Sequence, residues 1–399
     1  MKTIAVIGTL DTKGKESKYL KEQIEEQGLN TLCIHSGIFD PQFLPEISND
    51  RVAAAAGERI EALAAQRDRA TAMDAMARGL EQLLPQLYEE GCFDGVISIG
   101  GSGGTSLATP AMRALPLGVP KVMVSTMASG DVSPYVGTSD IVMIPSVVDA
   151  EGLNQVSMRI FSNAVNAVVG MVSRYQQIPE SGRPLLAATM FGVTTPCIKA
   201  AKEYLEAHGY DVLVFHATGA GGRSMEALIQ AGFIRGVLDI TTTEWCDELY
   251  GGVLGAGPHR LEAAAMRGIP QVVSVGALDI VNFGPYDTVP ERYRDRLLYK
   301  HNPTVTLMRT TAAENVGLGK VLAEKLNLAK GDTVLMLPLK GVSAIDAEGQ
   351  PFYGPEEDKA LFDTLRQRLG SQVIRKELDC HINDTEFAVA AAKELIRLL

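Results

Sequence analysis

The chain has 399 residues, of which 46% are hydrophobic and 39 are glycine, enough for two or three domains with sizeable cores. A formal charge of −11 argues against a broad nucleic-acid surface while leaving room for one local basic pocket that takes phosphate. The five cysteines are scattered, with no CxxC pair, the opening residues run straight into a strand, and no apolar run is long enough for a membrane; together these predict a reduced, cytoplasmic protein without disulfides or a zinc site.

Ile4 to Ile7 is the first predicted strand, four apolar residues suited to burial on both faces, and Gly8 ends it. Thr9, Asp11 and Thr12 read as caps for a helix beginning near Lys13, whose free N–H groups suit an anion. Gly8 to Lys13 is therefore predicted as a phosphate cradle, although its spacing is neither that of a P-loop nor that of GxGxxG. The bland alternative is a plain helix cap beside a solvated lysine. A helix over Ser17 to Gln27, stopped by Gly28, and a strand over Asn30 to His35 complete one βαβ unit. Arg51 to Glu90 is rich in alanine and helix-forming charged residues. It predicts one or two long helices, laid across the sheet or projecting as an arm for a dimer contact.

Val96 to Ile99 is the next strand of interest. After it Gly100, Gly101, Gly103 and Gly104 leave backbone amides open to a ligand, while Ser102, Thr105 and Ser106 add hydroxyls and caps for a following helix. At the carboxyl ends of two parallel strands, this loop and the first can grip one nucleotide. A strand over Ile141 to Ile144, a long helix over Glu151 to Gln177, and a linker marked by Pro179, Ser181, Gly182 and Pro184 place a domain boundary at 180/181. Residues 1–180 then form a nucleotide-binding domain and residues 181–399 a second domain with a substrate site.

The second half repeats the order of the first. Gly8 corresponds to Gly192, Gly28 to Gly209 and His35 to His216, and DGVISIGG to RGVLDITT. The predicted fold class is α/β, with two Rossmann-like doubly wound domains from an internal duplication and a helical insertion in the first. Composition shared by unrelated α/β units is the alternative explanation. Thr194 and Thr195 follow the first strand of this half. Thr218, Gly221, Gly222, Arg223 and Ser224 are predicted as a second anion site, for a carboxylate or phosphate. Thr242 and Glu244 follow the strand that matches the glycine-loop strand, and are expected to face the crevice and bond a polar substrate. His259, ahead of a helix, is a candidate general base, although a loop histidine is more commonly a surface residue. Asp279 and Asn282 are expected to reach the same crevice, Tyr286 to Lys300 to form a lid or edge helix, and Lys340 to reach bound anions. His381, Asn383 and Asp384 are candidates on position, Asp384 most simply as a cap.

IGTLDTKG, DGVISIGGSGGT, FGVTTP and ATGAGGRSMEAL, in that order, resemble the motifs of the Tm-one-like ATP-binding family, and the resemblance runs from Met1 to the C-terminus. It implies two Rossmann-like domains, a homodimer, and ATP with Mg²⁺ held mainly by the first domain. By matching position it implies a nucleotide site of Thr9, Asp11, Thr12, Lys13, Gly100 to Thr105, Ser125 and Thr126. Lys13 would balance phosphate charge, and Asp11 would hold the metal directly or through water. The family's plant namesake is longer, with a region resembling a TIM barrel that this chain lacks, so its antiviral role is not carried over. The expected function is an ATP- and Mg²⁺-binding cytoplasmic protein, a metabolic enzyme acting on a small acid between its domains, with no nucleic-acid or membrane partner. A nucleotide-dependent binding or regulatory module without turnover is the alternative. A dehydrogenase is a weaker reading, because GxGxxG and its acidic partner are missing. No residue reads as a nucleophile.

Overall fold

Valine- and isoleucine-rich runs buried on both faces become the parallel strands at the centre of each half of the chain. The structure is a computed structural model and describes residues 1–66, 68–174 and 182–399. The chain divides into two compact units, Met1–Pro179 and Glu180–Leu399. Of the expected linker markers, Pro179 and Ser181 lie outside the described residues, as does the predicted helix end at Gln177.

In the first unit, β1 (Thr3–Gly8), β2 (Asn30–His35), β3 (Gly95–Gly100), β4 (Lys121–Ser125) and β5 (Val142–Pro145) form an all-parallel sheet in the order β2-β1-β3-β4-β5. The register sets Ile7 beside Ile34 on one side and Ser98 on the other. The helices are α1 (Gly14–Glu26), α2 (Asn49–Ala55), α3 (Ile60–Gln66), α4 (Arg69–Glu89), α5 (Ser102–Ala114), α6 (Ser133–Val136) and α7 (Gln155–Ser173). Leu20 and Ile24 of α1 and Phe161, Val165 and Val168 of α7 pack on Val6, Ile97 and Val124 at one face. Leu80 and Leu84 of α4 and Ala108 and Met112 of α5 pack on Ala5, Ile7, Val96 and Met123 at the other. The sheet is thus doubly wound.

The alanine-rich segment folds as three helices rather than one or two, and α4 does not project. Ala72, Ala75, Met76, Leu80, Leu83, Leu84 and Leu87 bury its apolar stripe against the sheet, as a period of 3.6 requires of a covering helix. Gly79 lets α2 cross it closely, since a Cβ there would stand 2.0 Å from the Val52 carbonyl oxygen.

The second unit has a six-stranded parallel sheet of β6 (Leu185–Met190), β7 (Asp211–His216), β8 (Gly236–Thr241), β9 (Gln271–Gly276), β13 (Thr333–Pro338) and β14 (Val373–Leu378), ordered β14-β13-β9-β8-β6-β7. β10 (Ile280–Phe283), β11 (Leu298–Asn302) and β12 (Val305–Arg309) form a small antiparallel sheet, ordered β10-β12-β11. Its helices are α8 (Thr195–Ala207), α9 (Ala220–Gln230), α10 (Glu244–Tyr250), α11 (Ala263–Arg267), α12 (Ala312–Leu326), α13 (Pro355–Arg368) and α14 (Thr385–Leu398). The expected lid or edge helix at Tyr286 to Lys300 is instead two 3₁₀ turns, Tyr286–Thr288 and Glu291–Tyr293, leading into β11. Pro285 and Pro290 precede the two turns, and a proline at the second position breaks any continuous helix. No helix among the described residues is long and apolar enough to cross a membrane.

Candidate functional site

At the carboxyl ends of β1 and β3 the chain leaves the sheet toward opposite faces, into α1 and α5, which is where open α/β sheets have their ligand crevice. Neither helix has a side-chain cap: the N-cap of α1 is Lys13 and that of α5 is Gly101. The capping roles expected of Thr9, Asp11 and Thr12 are therefore corrected. Thr9 and Thr12 share a hydrogen bond between their hydroxyls at 2.8 Å. Asp11 Oδ1 accepts the Thr12 N–H at 2.9 Å, and its Oδ2 accepts the Phe39 N–H at 3.2 Å from the loop after β2. These residues shape the loop and leave the α1 amides free of side-chain partners.

The glycine segment is likewise less loop-like than its composition suggests. Ser102, Gly103, Gly104 and Thr105 form the first turn of α5. Thr105 donates its hydroxyl to the Gly101 carbonyl at 2.8 Å and meets Ser125 Oγ at 2.6 Å, while Ser125 accepts the Met127 N–H at 3.0 Å. Thr105 and Ser125 are wholly buried, so they brace the site from behind; Thr126 starts the 3₁₀ turn beside it, half-buried.

The glycines differ in why they are there. A Cβ on Gly8 would stand 2.5 Å from Ser17 Oγ, and one on Gly100 would stand 2.8 Å from Gly104 Cα, so packing explains both. One on Gly101 would meet nothing nearer than Thr126 Oγ1 at 3.6 Å, and one on Gly104 nothing nearer than the Ile99 carbonyl oxygen at 3.4 Å. Glycine is preferred to alanine at an N-cap, so capping accounts for Gly101, whereas inside a helix it costs roughly 0.5–1 kcal/mol relative to alanine, which leaves Gly104 as the glycine that neither packing nor capping requires. Lys13 lies at the same end, its side chain 18% exposed and its Nζ 3.9 Å from the exposed Glu151 carboxylate, a loose pair that leaves the ammonium for an anion.

His35 completes this end of the sheet. Its buried ring accepts the Leu10 and Gly37 N–H groups on Nδ1, at 3.1 and 3.2 Å, and donates from Nε2 to the Phe39 carbonyl at 2.8 Å. Those partners assign a neutral imidazole protonated on Nε2. It clamps the loop of Asp11 to the loop of Phe39, a role that a strand-terminal histidine signals only by position.

In the second unit the expected anion site is already filled. α9 begins at Ala220, so Gly221, Gly222, Arg223 and Ser224 lie in its first turn. The amides of Gly219 and Gly222 donate to Glu244 Oε1 at 2.7 and 3.0 Å. Glu244 is fully buried rather than facing a crevice, and its Oε2 receives Arg260 Nε at 2.7 Å. The Arg260 guanidinium also grips both oxygens of Asp239, at 2.5 and 2.7 Å, and Glu226 at 3.3 Å. Burial raises the pKa of Glu226, with the Arg260 charge opposing it.

The other candidates in this unit are dispersed. Arg223 is exposed and donates to the Gly255 carbonyl at 3.0 Å, Ser224 to the Ala220 carbonyl at 2.9 Å, and Thr218 to the His216 carbonyl at 3.3 Å. Thr194 is buried and bonds Thr241 at 2.8 Å, Thr195 caps back to the Phe191 carbonyl at 3.1 Å, and Thr242 is buried on the Ser274 carbonyl at 3.0 Å. His259 is 84% exposed, with Nδ1 2.9 Å from Glu262, which also pairs with Lys325. Asn282 lies inside β10, donating to Asp247 at 2.8 Å, and Lys340 pairs with Asp379 at 3.0 Å. His381 donates to the Ser343 carbonyl at 2.9 Å and Asn383 to the Val193 carbonyl at 2.9 Å. Asp384 sits at the N-cap of α14, yet its carboxylate takes the His381 N–H at 2.8 Å instead of an α14 amide.

Residues 2–177 match the N-terminal domain, and residues 183–399 the C-terminal domain, of the uncharacterised protein family UPF0261. The chain belongs to the UPF0261 family. A UPF0261 protein of Clostridium tetani is 57% identical over 400 residues, covering 100% of this chain and 99% of its own length. One of Rhizobium meliloti is 49% identical, over 98% of both chains. The tomato ToMV resistance protein Tm-1(GCR237) is 48% identical over 337 residues, which are 83% of this chain but 45% of that protein. Among solved structures, a UDP-N-acetylglucosamine 2-epimerase from Rickettsia bellii aligns over 100% of this chain and 95% of its own at 9% identity, with a TM-score of 0.22, too low to carry an argument.

The second unit of this UPF0261 chain holds one more buried charge group. Arg309 Nη2 lies 2.9 Å from Asp358 and 3.5 Å from Asp346. Asp279, expected at the crevice, is instead wholly buried with Oδ2 accepting the Ser343 hydroxyl at 2.7 Å. Burial, reinforced by the Asp346 charge, pushes Asp358 up to about 8 and Asp279 up to about 7. A carboxyl raised in the folded state holds its proton more tightly there than when unfolded. Its stabilisation is full below the unfolded value, near 4, and is lost as pH rises through the folded one, by at most about 1.4 kcal/mol per unit and proton. Asp358→Asn keeps an acceptor for Arg309 and removes that loss. Urea unfolding at pH 5 and 8 is therefore expected to show the variant gaining about 3–4 kcal/mol on the wild type at the higher pH. A pH-independent difference would contradict this assignment.

Proposed function

We propose that this UPF0261 protein binds ATP with Mg²⁺ at the carboxyl ends of β1 and β3. The observation that carries the reading is the pairing of two uncapped helix starts with two glycines that packing does not require, Gly101 and Gly104, beside the loosely paired Lys13. The segments Gly8 to Lys13 and Gly100 to Thr105 would cradle phosphate through backbone N–H groups, with Lys13 balancing charge and Thr126 at the rim. Bound Mg²⁺ would neutralise phosphate charge; it keeps most of its water and needs only one or two protein carboxylates, so Asp11, held by the Thr12 and Phe39 amides, suits it. Among the described residues no group of three His, Cys, Asp or Glu is placed to hold a metal ion.

The wider reading is a cytoplasmic, homodimeric metabolic enzyme that activates or transfers a group to a small acid, with Arg223, Thr195, Thr218 and Ser224 among the accessible polar groups of the second unit. Duplication of one doubly wound unit, with α2 to α4 as the insertion, belongs to the same proposal. It is supported by the strand order β2-β1-β3-β4-β5 recurring as β7-β6-β8-β9-β13, and by Gly28 and Gly209, which end the equivalent first helices at φ +82° and +91°. A second reading, a nucleotide-dependent module without turnover, is favoured by one observation: Glu244 already occupies the anion position expected for a substrate.

Calorimetric titration of ATP, with and without Mg²⁺, tests the site. Mg²⁺-dependent binding that weakens at least about tenfold in Asp11→Asn is expected, as for loss of one charged metal ligand. No heat with the wild-type protein would remove the nucleotide reading. Release of phosphate or pyrophosphate in the presence of a carboxylic acid separates enzyme from module.

A further inference from the structure

Among the described residues, three that are not glycine adopt a positive φ: Leu261 at +73°, Ala277 at +56° and Val147 at +63°. Leu261 and Ala277 are buried, so the packing around them holds the unfavourable backbone in place. Val147 is 75% exposed and has no such compensation. The Val148 N–H donates to the Ser146 carbonyl at 2.7 Å across it, which is the rare and strained form of a γ-turn. Branching at Cβ makes that backbone more unfavourable still. Buried Ser146 holds the turn from behind: its hydroxyl donates to the Val148 carbonyl at 2.6 Å, and its N–H to the Ser125 carbonyl at 3.1 Å.

The turn stands at the rim of the crevice in the first unit. Ser125, which receives the Ser146 N–H, also meets Thr105 in the first turn of α5, so hydrogen bonds link the turn to that helix start. From Ser146 the chain runs past the carboxyl ends of β4 and β3 toward α1, where Glu151 lies 3.9 Å from Lys13 and the Gly152 N–H donates to Glu16. Glycine at 147 would relax the backbone, and a polar side chain would suit the exposure; the residue present does neither. Strain that the fold does not use marks a side chain whose contact lies outside the fold. Asp149 and Glu151, both exposed, follow close behind, which disfavours a broad apolar partner and suits a small flat one with polar edges.

We propose that Val147 is the apolar contact for the base of the bound nucleotide, its methyl groups lying against the ring face. The proposal rests on the nucleotide reading above and adds to it the place of the base. A β-branched side chain has little rotational freedom, and the γ-turn fixes its direction, so Val147 is set to position a planar ligand before that ligand arrives.

The test measures binding of ATP with Mg²⁺, and of inorganic triphosphate with Mg²⁺, to the full chain as wild type, Val147→Gly and Val147→Thr, alongside the melting midpoint without ligand. Val147→Gly is expected to weaken ATP binding about 5- to 20-fold, as for the loss of one apolar contact, and to leave triphosphate within about twofold. Its ligand-free midpoint is expected to stay level or rise, because the strain is relieved. Val147→Thr keeps the branch and one methyl group and is expected to recover part of the ATP affinity. Unchanged ATP affinity in Val147→Gly would overturn the proposal, and so would equal weakening of both ligands, which would mean that the turn only shapes the phosphate seat. A midpoint lowered by several degrees would overturn it too, because the valine would then serve the fold. Wild-type protein that binds triphosphate but not ATP would leave the phosphate seat standing and remove the base contact. Binding of neither would remove the nucleotide reading and the proposal with it.

Discussion

Replacing Arg260 with alanine is expected to destabilise the second unit by about 3–5 kcal/mol, the cost of leaving buried carboxylates without their cation. Asp239, Glu244 and Glu226 all converge on that guanidinium, and Asp239 and Glu244 have at most 2% of their side chains exposed. Repulsion among them, and not loss of packing, supplies most of the effect. Asp239→Asn combined with Glu244→Gln is therefore expected to restore part of the stability in the Arg260→Ala background. Trp245, the single tryptophan of the chain, lies in the core of this unit and reports its unfolding in urea. A loss below about 1 kcal/mol would mean that water reaches these groups and that the cluster is a surface network.

In the first unit the largest effect is expected on binding. Alanine at both Gly101 and Gly104 meets no protein atom closer than 3.4 Å, and the Gly101 backbone, at φ −80° and ψ −159°, is open to any residue. The double variant should fold with a stability within about 1 kcal/mol of the wild type, the alanine at the N-cap offsetting the gain at 104, and on the nucleotide proposal it is expected to lose ATP affinity about 10- to 100-fold, because two methyl groups would stand where the phosphates would approach. Gly100→Ala provides the contrast. Its Cβ strikes the α5 backbone, so it is expected to cost about 1–3 kcal/mol in stability with or without ligand. Equal ATP affinity in the wild type and the double variant would place the ligand elsewhere.

How much of this was legible in the sequence varies with the kind of residue. The central strands were plain, because Ile4 to Ile7 and Val96 to Ile99 can only be buried, and the glycines after helices marked their ends. The glycine segments were read as loops because Gly and Ser favour turns, but Ser102 to Thr105 and Ala220 to Ser224 are first helical turns. Tertiary packing outweighed local preference there. The antiparallel sheet was missed because β11, Leu298–Asn302, is mostly polar and exposed, and carries no alternation to read. Arg260 looked like a loop residue beside His259. The available clue lay in Asp239, a carboxylate inside the buried strand β8, which demands a cation from somewhere in the chain.

The carboxylate of Glu244, the first residue of α10, sets the start of α9 apart from the starts of α1 and α5. Tethered to the chain, its carboxylate sits at an effective concentration that no dissolved acid matches, so that helix end is permanently loaded. That helix end therefore draws its stability from within, whatever the cell supplies. The ends of α1 and α5 have no such side-chain occupant, and on the nucleotide proposal the stability of the first unit would follow ligand supply by mass action.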